Sequence, residues 1–277
     1  MTYSQSLRFG TSLSFVRKLD RASLRTVHEA GIAAGELSFN FDYYMNRACF
    51  PERAEEFAAI AKEEGVELWS IHLPFSRKLD ISSTDKEMRA VALYTNRTLI
   101  RAAGRAGIKV AVLHPSSEPI TDEDRPERLR LSKEAIIMLR EECDKAGMKL
   151  AVENLPRTCL CNTSAEMIEL LRDTGAGVVF DTNHSLIEEN VHFLASLIDA
   201  GLEIITLHIS DYDFIDERHR LPGDGSNNWT GLLAQLERAG YTGPLMYEVS
   251  WKPKEREEIP IADLAANMRD LADGKIK

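Results

Sequence analysis

Short apolar runs alternate along the whole chain with longer amphipathic segments. The runs are typical of strands buried on both faces, and they predict eight strands at residues 7–10, 34–39, 66–72, 108–114, 148–154, 177–181, 202–209 and 244–249. The segments between them carry Leu, Ile and Met at three- and four-residue intervals, which is typical of helices and is clearest at 127–145 and 188–200. Thr84 to Glu87 and Thr163 to Glu166 fit capping boxes, which predicts that helices begin there.

A recurrent glycine marks the junction from each helical segment to the next strand. Gly just past a helix adopts the left-handed conformation that ends the helix at little cost. The repetition of this junction indicates that helix and strand alternate throughout the chain. The junctions are Ala30-Gly31, Glu64-Gly65, Ala106-Gly107, Ala146-Gly147, Gly175-Ala176-Gly177, Ala200-Gly201 and Ala239-Gly240.

Eight strands alternating with helices in 277 residues, without a Pro- or Gly-rich linker, predict a single (β/α)8 barrel, or TIM barrel, over residues 1–277. An open, doubly wound sheet is the structural alternative. Such a sheet would usually carry a Gly-rich phosphate-binding turn after its first strand, whereas the segment from Phe9 to Leu13 has a single Gly. We therefore expect the closed barrel.

Titratable side chains occur at the carboxyl ends of six consecutive predicted strands. A TIM barrel brings these ends to one mouth, where the catalytic residues of such barrels lie. Buried carboxylates are costly unless they are paired or bound to a metal, and carboxylates and imidazoles are common ligands of divalent cations. The pattern therefore predicts a metal-binding pocket formed by His72, His114, Glu153, Asp181 with His184 three residues on, His208 and Glu248.

Each of these residues alone has a simpler interpretation. Asp181 could cap a helix with His184 beside it by chance, and a single His at a strand end is more often a hydrogen-bonded core residue than a ligand. The recurrence at six strand ends favours the site over these alternatives. The loop after the seventh strand adds Glu217, Arg218 and His219, which could fold over the mouth, whereas His28 and His192 fall in helices and are expected to be surface or packing residues.

Composition and charge narrow the classes of function. The net charge of −10 disfavours a sequence-independent nucleic-acid binder. No apolar run is long enough to span a membrane, and the N-terminal segment does not resemble a signal peptide, so we expect a cytoplasmic location. Cys49, Cys143, Cys159 and Cys161 include no CxxC pair and are expected to be reduced thiols.

These motifs, in this order, resemble the xylose isomerase-like TIM barrel superfamily. The superfamily holds sugar and sugar phosphate isomerases and epimerases, and also endonuclease IV-type DNA repair enzymes. The resemblance covers nearly the whole chain. It is carried by His72-Leu73-Pro74, Leu113-His114-Pro115, Glu153-Asn154-Leu155-Pro156, Asp181-Thr182-Asn183-His184, His208-Ile209-Ser210-Asp211, the segment from His219 to Gly225, and Glu248.

Similarity to the ketose 3-epimerase branch implies one divalent cation, Mn, Mg, Co or Zn, held by Glu153, Asp181, His208 and Glu248. It also implies that Glu153 and Glu248 transfer a proton through a metal-stabilised enediolate of a ketose or related sugar. Residues expected to contact the sugar are His72, His114, His184, Arg218 and His219. In that branch an Arg stands four residues before the Gly of the Pro-Gly turn. In this chain His219 occupies that position, before Gly223, which leaves the identity of the sugar open.

Similarity to the endonuclease IV-type branch implies a different enzyme, a three-zinc phosphodiesterase acting on abasic DNA. Its additional metal ligands would be His72, His114, His184, Glu217 and His219, with Glu217 where that branch has Asp. The acidic charge and the absence of an evident basic, aromatic loop set disfavour DNA. A related sugar or inosose lyase is a further alternative. We expect a small sugar molecule as the partner, neither nucleic acid nor membrane, and a homo-oligomer as in many members of the family.

Overall fold

Parallel strands surrounded by helices form the fold. The computed structural model describes residues 2–16, 18–38, 50–252 and 258–277. Phe39, predicted to end the second strand, and Cys49, predicted to be a reduced thiol, lie outside the described residues. The strands are β1 (Phe9–Ser12), β2 (Ala34–Ser38), β3 (Glu67–His72), β4 (Val110–Leu113), β5 (Lys149–Glu153), β6 (Gly177–Asp181), β7 (Ile204–His208) and β8 (Leu245–Tyr247). The helices are α1 (Tyr3–Ser6), α2 (Arg21–Glu29), α3 (Phe50–Glu63), α4 (Lys86–Arg105), α5 (Arg125–Lys145), α6 (Ser164–Leu171), α7 (Asn190–Asp199), α8 (Trp229–Arg238) and α9 (Ile261–Ala272).

The sheet closes on itself. Its strands are neighbours in the order β7-β6-β5-β4-β3-β2-β1-β8, and every ladder is parallel. Just past β7, Ile209 donates its N–H to the carbonyl of Met246 at 2.8 Å and accepts the N–H of Glu248 at 2.9 Å, which joins β7 to β8. The predicted (β/α)8 barrel is confirmed, and the open sheet is excluded.

The predicted helix-to-strand glycines adopt the left-handed conformation. Their φ values lie between +65° and +91° at Gly31, Gly65, Gly107, Gly147, Gly175, Gly201 and Gly240. Gly65 is constrained by space as well, because a Cβ there would lie 2.6 Å from the ring of His28. His28 and His192 are exposed on α2 and α7, as expected.

Every second residue of a strand points into the barrel, and the last of these inward residues lie at the barrel mouth. Val110, Val112, Ala151, Val179 and Ile205 form an inner apolar cluster, separate from the larger core between strands and helices. Side chains two residues apart on a strand share a face. Glu153 and Asp181 follow Ala151 and Val179 by two residues, so they continue the inner face at the carboxyl ends of β5 and β6.

Some predicted boundaries differ from the structure. The first strand begins at Phe9 rather than at residue 7, because Leu7 ends the short helix α1. The capping box at Thr84 is wrong: the N-cap of α4 is Asp85, whose carboxylate accepts the N–H groups of Glu87 and Met88 at 2.9 and 3.1 Å.

The second predicted capping box is half formed. Thr163 caps α6 by accepting the N–H of Glu166 at 3.3 Å. The Glu166 carboxylate instead accepts hydrogen bonds from Arg125 and from the N–H of Cys161.

The lengths of the helices and the state of the described cysteines agree with what the composition predicts. Within the described residues, every helix is too short or too polar to cross a membrane. Cys143, Cys159 and Cys161 are buried free thiols, which confirms the expectation for these three.

Candidate metal centre and active site

The site is built around Glu153, which is fully buried at the end of β5. Its Oε1 atom lies 3.0 Å from Nδ1 of His208. Its Oε2 atom lies 3.3 Å from Nε2 of His72 and 3.2 Å from Nε2 of His114. The two oxygens of one carboxylate therefore face two different sets of histidines.

A cluster of four possible ligands surrounds the Oε1 side of Glu153. Donor atoms of Glu153, Asp181, His208 and Glu248 all lie within 4.8 Å of one another. Nδ1 of His208 is 3.1 Å from Oε2 of Glu248 and 3.8 Å from Oδ2 of Asp181. Three carboxylates and one imidazole at this spacing fit a divalent cation.

Oδ2 of Asp181 is an orphaned atom within this cluster. It is buried and makes no hydrogen bond to any residue that the structure describes. An unsatisfied buried carboxylate oxygen is costly, and a bound cation would remove that cost. The residues present therefore fit the implied metal.

Asn154 fixes the position of Asp181. Its amide nitrogen donates to the carbonyl of Asp181 at 2.8 Å, and its amide oxygen accepts the N–H of Asp181 at 2.8 Å, which joins the ends of β5 and β6. Oδ1 of Asp181 accepts the N–H of Asn183 at 2.5 Å. The carboxylate thus stabilises the turn with one oxygen and faces the cluster with the other.

Three histidines are oriented by backbone carbonyl groups. Because a carbonyl can only accept, it favours a proton on the nitrogen that it contacts and leaves the other nitrogen of a neutral ring as an acceptor. This arrangement, with Nδ1 held and Nε2 presented, is typical of metal-binding histidines. The contacts run from Nδ1 of His72 to Leu73 at 3.0 Å, from Nδ1 of His184 to Asn154 at 2.9 Å, and from Nδ1 of His219 to Glu248 at 3.0 Å.

The buried charges shift one another's pKa values. Burial, reinforced by the carboxylates of Glu153 and Glu248, raises the pKa of Asp181 well above its usual range. Burial also opposes ionisation of Glu153, but His208 and His114 outweigh it and hold the pKa of Glu153 well below its usual range. The pKa of Glu248 is lowered in the same way, by His208. In the metal-free cluster these interactions favour the ionised forms of Glu153 and Glu248 and the protonated form of Asp181.

Glu217 reaches back from the loop after β7 to His184. Its Oε1 atom lies 3.0 Å from Nε2 of His184, and its Oε2 atom accepts a hydrogen bond from Nη1 of Arg157 at 3.0 Å. Burial opposes ionisation of Glu217, but His184 and Arg157 outweigh it and lower its pKa to about 2. The pKa of His184 is raised to about 10, because Asp181 and Glu217 outweigh the effect of its burial.

Arg218 does not join the other predicted site residues. Its Nε atom donates to Oδ2 of Asp213 in the same loop at 2.9 Å. It is absent from the residues that line the cavity at the mouth, whereas the neighbouring His219 is among them. The Arg218 side chain thus contacts its own loop, and its contact with the sugar stays a prediction.

A cavity of about 370 Å³ opens above the cluster. Phe75 forms one of its walls and stacks on His114 with the ring centroids 3.7 Å apart. The predicted residues that line it are His72, His114, Glu153, His184, Glu217, His219 and Glu248.

The sequence analysis missed three residues of this region. Phe75 and Arg157 line the cavity within four residues of His72 and Glu153, and proximity in sequence to a predicted site residue could have found them. Glu36 is fully buried on β2 with its Oε1 atom 2.9 Å from Nε2 of His208. A lone carboxylate inside an otherwise apolar strand was the available signal.

Solved structures of sugar epimerases resemble this chain in fold. A D-tagatose 3-epimerase-like protein superimposes with a TM-score of 0.80 at 23% identity, covering 98% of this chain and 100% of that one. A D-psicose 3-epimerase crystallised in the presence of D-fructose gives 0.78 at 21% identity, covering 97% and 98%. The 3-keto-D-glucoside 4-epimerase YcjR from E. coli gives 0.76 at 20% identity, covering 96% and 99%. At these identities the likeness confirms the fold.

Sequence comparison identifies the family. Uncharacterized protein MJ1311 of Methanocaldococcus jannaschii is 26% identical over 250 residues, which cover 87% of this chain and 83% of that protein. The model of the family described as xylose isomerase-like TIM barrel matches residues 24–271. Since that match spans most of the sequence, the chain belongs to the xylose isomerase-like TIM barrel family.

Proposed function

We propose that the chain is a divalent-metal-dependent isomerase or epimerase of a ketose or a related sugar. The observation that carries the proposal is the convergence of Glu153, Asp181, His208 and Glu248, whose donor atoms lie within 4.8 Å of one another. The sugar epimerases among the structural neighbours support the substrate class.

In this proposal the four residues hold one cation, Mn, Mg, Co or Zn. When bound, such a cation would act as a Lewis acid toward the substrate oxygens and would stabilise the negative charge that develops as a proton leaves the carbon next to the carbonyl group. Asp181 would contribute Oδ2, which makes no hydrogen bond within the described residues. His208 contributes Nδ1, which faces the three carboxylates.

Glu153 and Glu248 are the proposed acid–base pair. Their lowered pKa values keep both ionised, so either can accept a proton from carbon. They lie at different depths, because the side chain of Glu153 is 1% exposed whereas that of Glu248 is 23% exposed. One carboxylate removes the proton from carbon and becomes a carboxylic acid. The other, once it has taken up a proton from solvent, returns it to the opposite face or to the neighbouring carbon, which changes the configuration or the position of the carbonyl group.

Substrate hydroxyl groups are assigned to the histidines that line the cavity, His72, His114, His184 and His219. The backbone contact at Nδ1 of His219 leaves its Nε2 facing away from the carbonyl of Glu248, where it can meet a hydroxyl group. At His72 and His184, Nε2 already faces Glu153 and Glu217 at 3.3 and 3.0 Å, so a hydroxyl group there would contact the imidazole and the carboxylate together. Phe75 offers an apolar face to the C–H groups of a sugar ring or chain.

Solvent-proton exchange tests this function. The purified chain is incubated with Mn²⁺ in deuterated water and a panel of ketoses with and without a phosphate group. We expect deuterium at a carbon next to the carbonyl group of at least one ketose, together with a new sugar. No exchange in any ketose by the metal-loaded protein would exclude the proposal.

One observation favours a second function, a zinc phosphodiesterase related to endonuclease IV. Oε2 of Glu153 faces His72 and His114 at 3.3 and 3.2 Å and makes no hydrogen bond of regular geometry within the described chain. A carboxylate whose two oxygens face separate ligand sets can bridge two cations. Three zinc ions per chain by elemental analysis, together with cleavage of an abasic-site duplex, would favour this second function.

A further inference from the structure

Glu36 lies behind the proposed metal site, on the side of His208 away from the cavity. It belongs to β2, and both Glu36 and His208 are fully buried. Oε1 of Glu36 is 2.9 Å from Nε2 of His208, and neither atom makes a hydrogen bond to any further residue that the structure describes. Among the described residues, each of these two atoms therefore has only the other as a partner.

The other oxygen of Glu36 is held in place by Ser70. The Ser70 hydroxyl group donates to Oε2 at 2.7 Å. Glu36 and Ser70 are paired residues of β2 and β3, next to a register shift between Gly35 and Glu36. The carboxylate is thus fixed by a neighbouring strand and not by His208 alone.

The ring of His208 has a different environment at each nitrogen. Nδ1 faces Oε1 of Glu153 at 3.0 Å and Oε2 of Glu248 at 3.1 Å. Nε2 faces Glu36. A carboxylate has no proton to donate when ionised, so it favours a proton on the nitrogen that it contacts. Because both nitrogens face carboxylates, both favour a proton in the metal-free ring. A cation at Nδ1 would take the place of the proton there, and the contact with Glu36 would keep the remaining proton on Nε2.

We propose that Glu36 is a positioning residue for the metal site: it holds the His208 proton on Nε2, so that Nδ1 presents its lone pair to the cation. This role rests on the proposed function, since it requires a metal held by Glu153, Asp181, His208 and Glu248. Glu36 is not among the residues that line the cavity, so we place it out of reach of the substrate. It acts on the cation through His208.

Metal affinity of matched variants tests the role. Mn²⁺ and Co²⁺ are titrated by calorimetry into the metal-free full chain carrying Glu36→Met, Glu36→Gln or Ser70→Ala. Glu142→Gln is the control, because Glu142 is also a buried carboxylate but pairs with Arg101 on the outer helices. Unfolding of the metal-free variants and the visible spectrum of bound Co²⁺ are recorded beside each affinity.

We expect Glu36→Met to weaken metal binding about 10- to 100-fold and to alter the Co²⁺ spectrum. Glu36→Gln keeps an oxygen that can accept the Nε2 proton, so it should restore part of the affinity. Glu142→Gln should reduce stability and leave the Kd and the spectrum unchanged. A purely structural carboxylate would show the opposite: lost stability with wild-type affinity and spectrum.

Two failures can be told apart. A wild-type chain that binds no divalent cation overturns the proposed function and, with it, the role of Glu36. A wild-type chain that binds the metal, with Glu36→Met binding equally tightly, overturns the role of Glu36 alone. If Glu36→Met does not fold, Glu36→Gln decides: a Kd within about twofold of wild type overturns the role, and a rise of about threefold or more supports it.

Discussion

The Oε1 atom of Glu217 lies 3.0 Å from Nε2 of His184. This contact joins the loop after β7 to the segment just beyond β6, and it places a carboxylate and an imidazole at the wall of the cavity. The same pair would contact substrate in a one-metal enzyme and would bind a further cation in a three-metal enzyme. Its role therefore separates the two functions considered above.

We expect His184→Ala to leave the metal content unchanged and to lower kcat/KM roughly 10- to 100-fold, mainly through KM. The reason is that His184 contacts substrate in the proposed enzyme and is not one of its four metal ligands. Metal content is measured by elemental analysis and the kinetic constants on the ketose that exchanges deuterium. A fall in zinc content from three to two ions per chain would instead assign His184 to a third metal site.

Glu153→Gln and Glu248→Gln should each lower kcat by about 10²- to 10⁴-fold while the fold stays intact. An amide cannot accept the proton that an ionised carboxylate takes from carbon. Rates and deuterium exchange are measured with saturating Mn²⁺, and circular dichroism reports the fold. Glu203→Gln makes the same change at an exposed position and should leave kcat unchanged. Near-wild-type turnover by either site variant would refute the acid–base assignment.

Removal of metal should lower thermal stability. A cation present at about 100 times its Kd stabilises the folded state by about 2.7 kcal/mol, which corresponds to a rise in Tm of roughly 5 to 10 °C for a chain of this size. The change in Tm is measured by differential scanning calorimetry before and after EDTA treatment. Asp181→Asn should abolish the metal-dependent rise, because Oδ2 is lost as a ligand.

Asp181→Asn should hardly change the Tm of the metal-free protein. Burial raises the pKa of Asp181 and so favours its neutral form in the metal-free protein, which the amide resembles. A metal-dependent rise that persists in Asp181→Asn would remove Asp181 from the ligand set.

The barrel and most site residues could be predicted because each has a local signal. The apolar runs ending in Glu153 and Asp181 mark both a strand and its carboxyl end, and barrel closure alone then brings the two side chains together. The orientation of each side chain could not be predicted in this way. Arg218 turns to Asp213, and this contact depends on the path of its loop rather than on the strands.

Glu36 illustrates a second limit. Its importance depends on Nε2 of His208 facing Glu36 while Nδ1 faces Glu153 and Glu248, and ring orientation has no sequence signal. The backbone carbonyl groups of Leu73 and Asn154, which orient His72 and His184, are equally hidden, because every residue has a carbonyl group. The sequence shows which side chains stand at strand ends, whereas the contacts that orient those side chains are seen only in the three-dimensional structure.

The buried thiols should resist alkylation in the folded protein. Burial raises the pKa of Cys143 and of Cys159 to about 12, and that of Cys161 well above its ordinary value. With a pKa near 12, only about one thiol in ten thousand is ionised at pH 8, and the thiolate is the reactive form. A Cys49→Ser background leaves these three as the only cysteines. Mass spectrometry should find no iodoacetamide adduct at pH 8 until denaturant is added, and stoichiometric labelling of the folded protein within minutes would contradict this.

Asp80 and Arg128 form a buried ion pair at the cavity rim. Oδ2 of Asp80 lies 2.5 Å from Nη2 of Arg128, and the side chains are 5% and 12% exposed. The same oxygen accepts the N–H of the cavity residue Ser117 at 3.2 Å, so the pair connects the segments after β3 and β4. Loss of one partner should leave an uncompensated buried charge.

We expect Asp80→Ala to reduce the free energy of unfolding by about 3 to 5 kcal/mol, measured by urea denaturation. Glu203→Ala breaks the exposed Lys149–Glu203 pair, which has the same 2.5 Å separation but side chains that are 58% and 62% exposed, and it should cost less than about 1 kcal/mol. The double variant Asp80→Met, Arg128→Met should lose less stability than Asp80→Ala, because it removes both charges together. Equal losses for the buried and the exposed pair would show that burial does not set the energy of the Asp80–Arg128 contact.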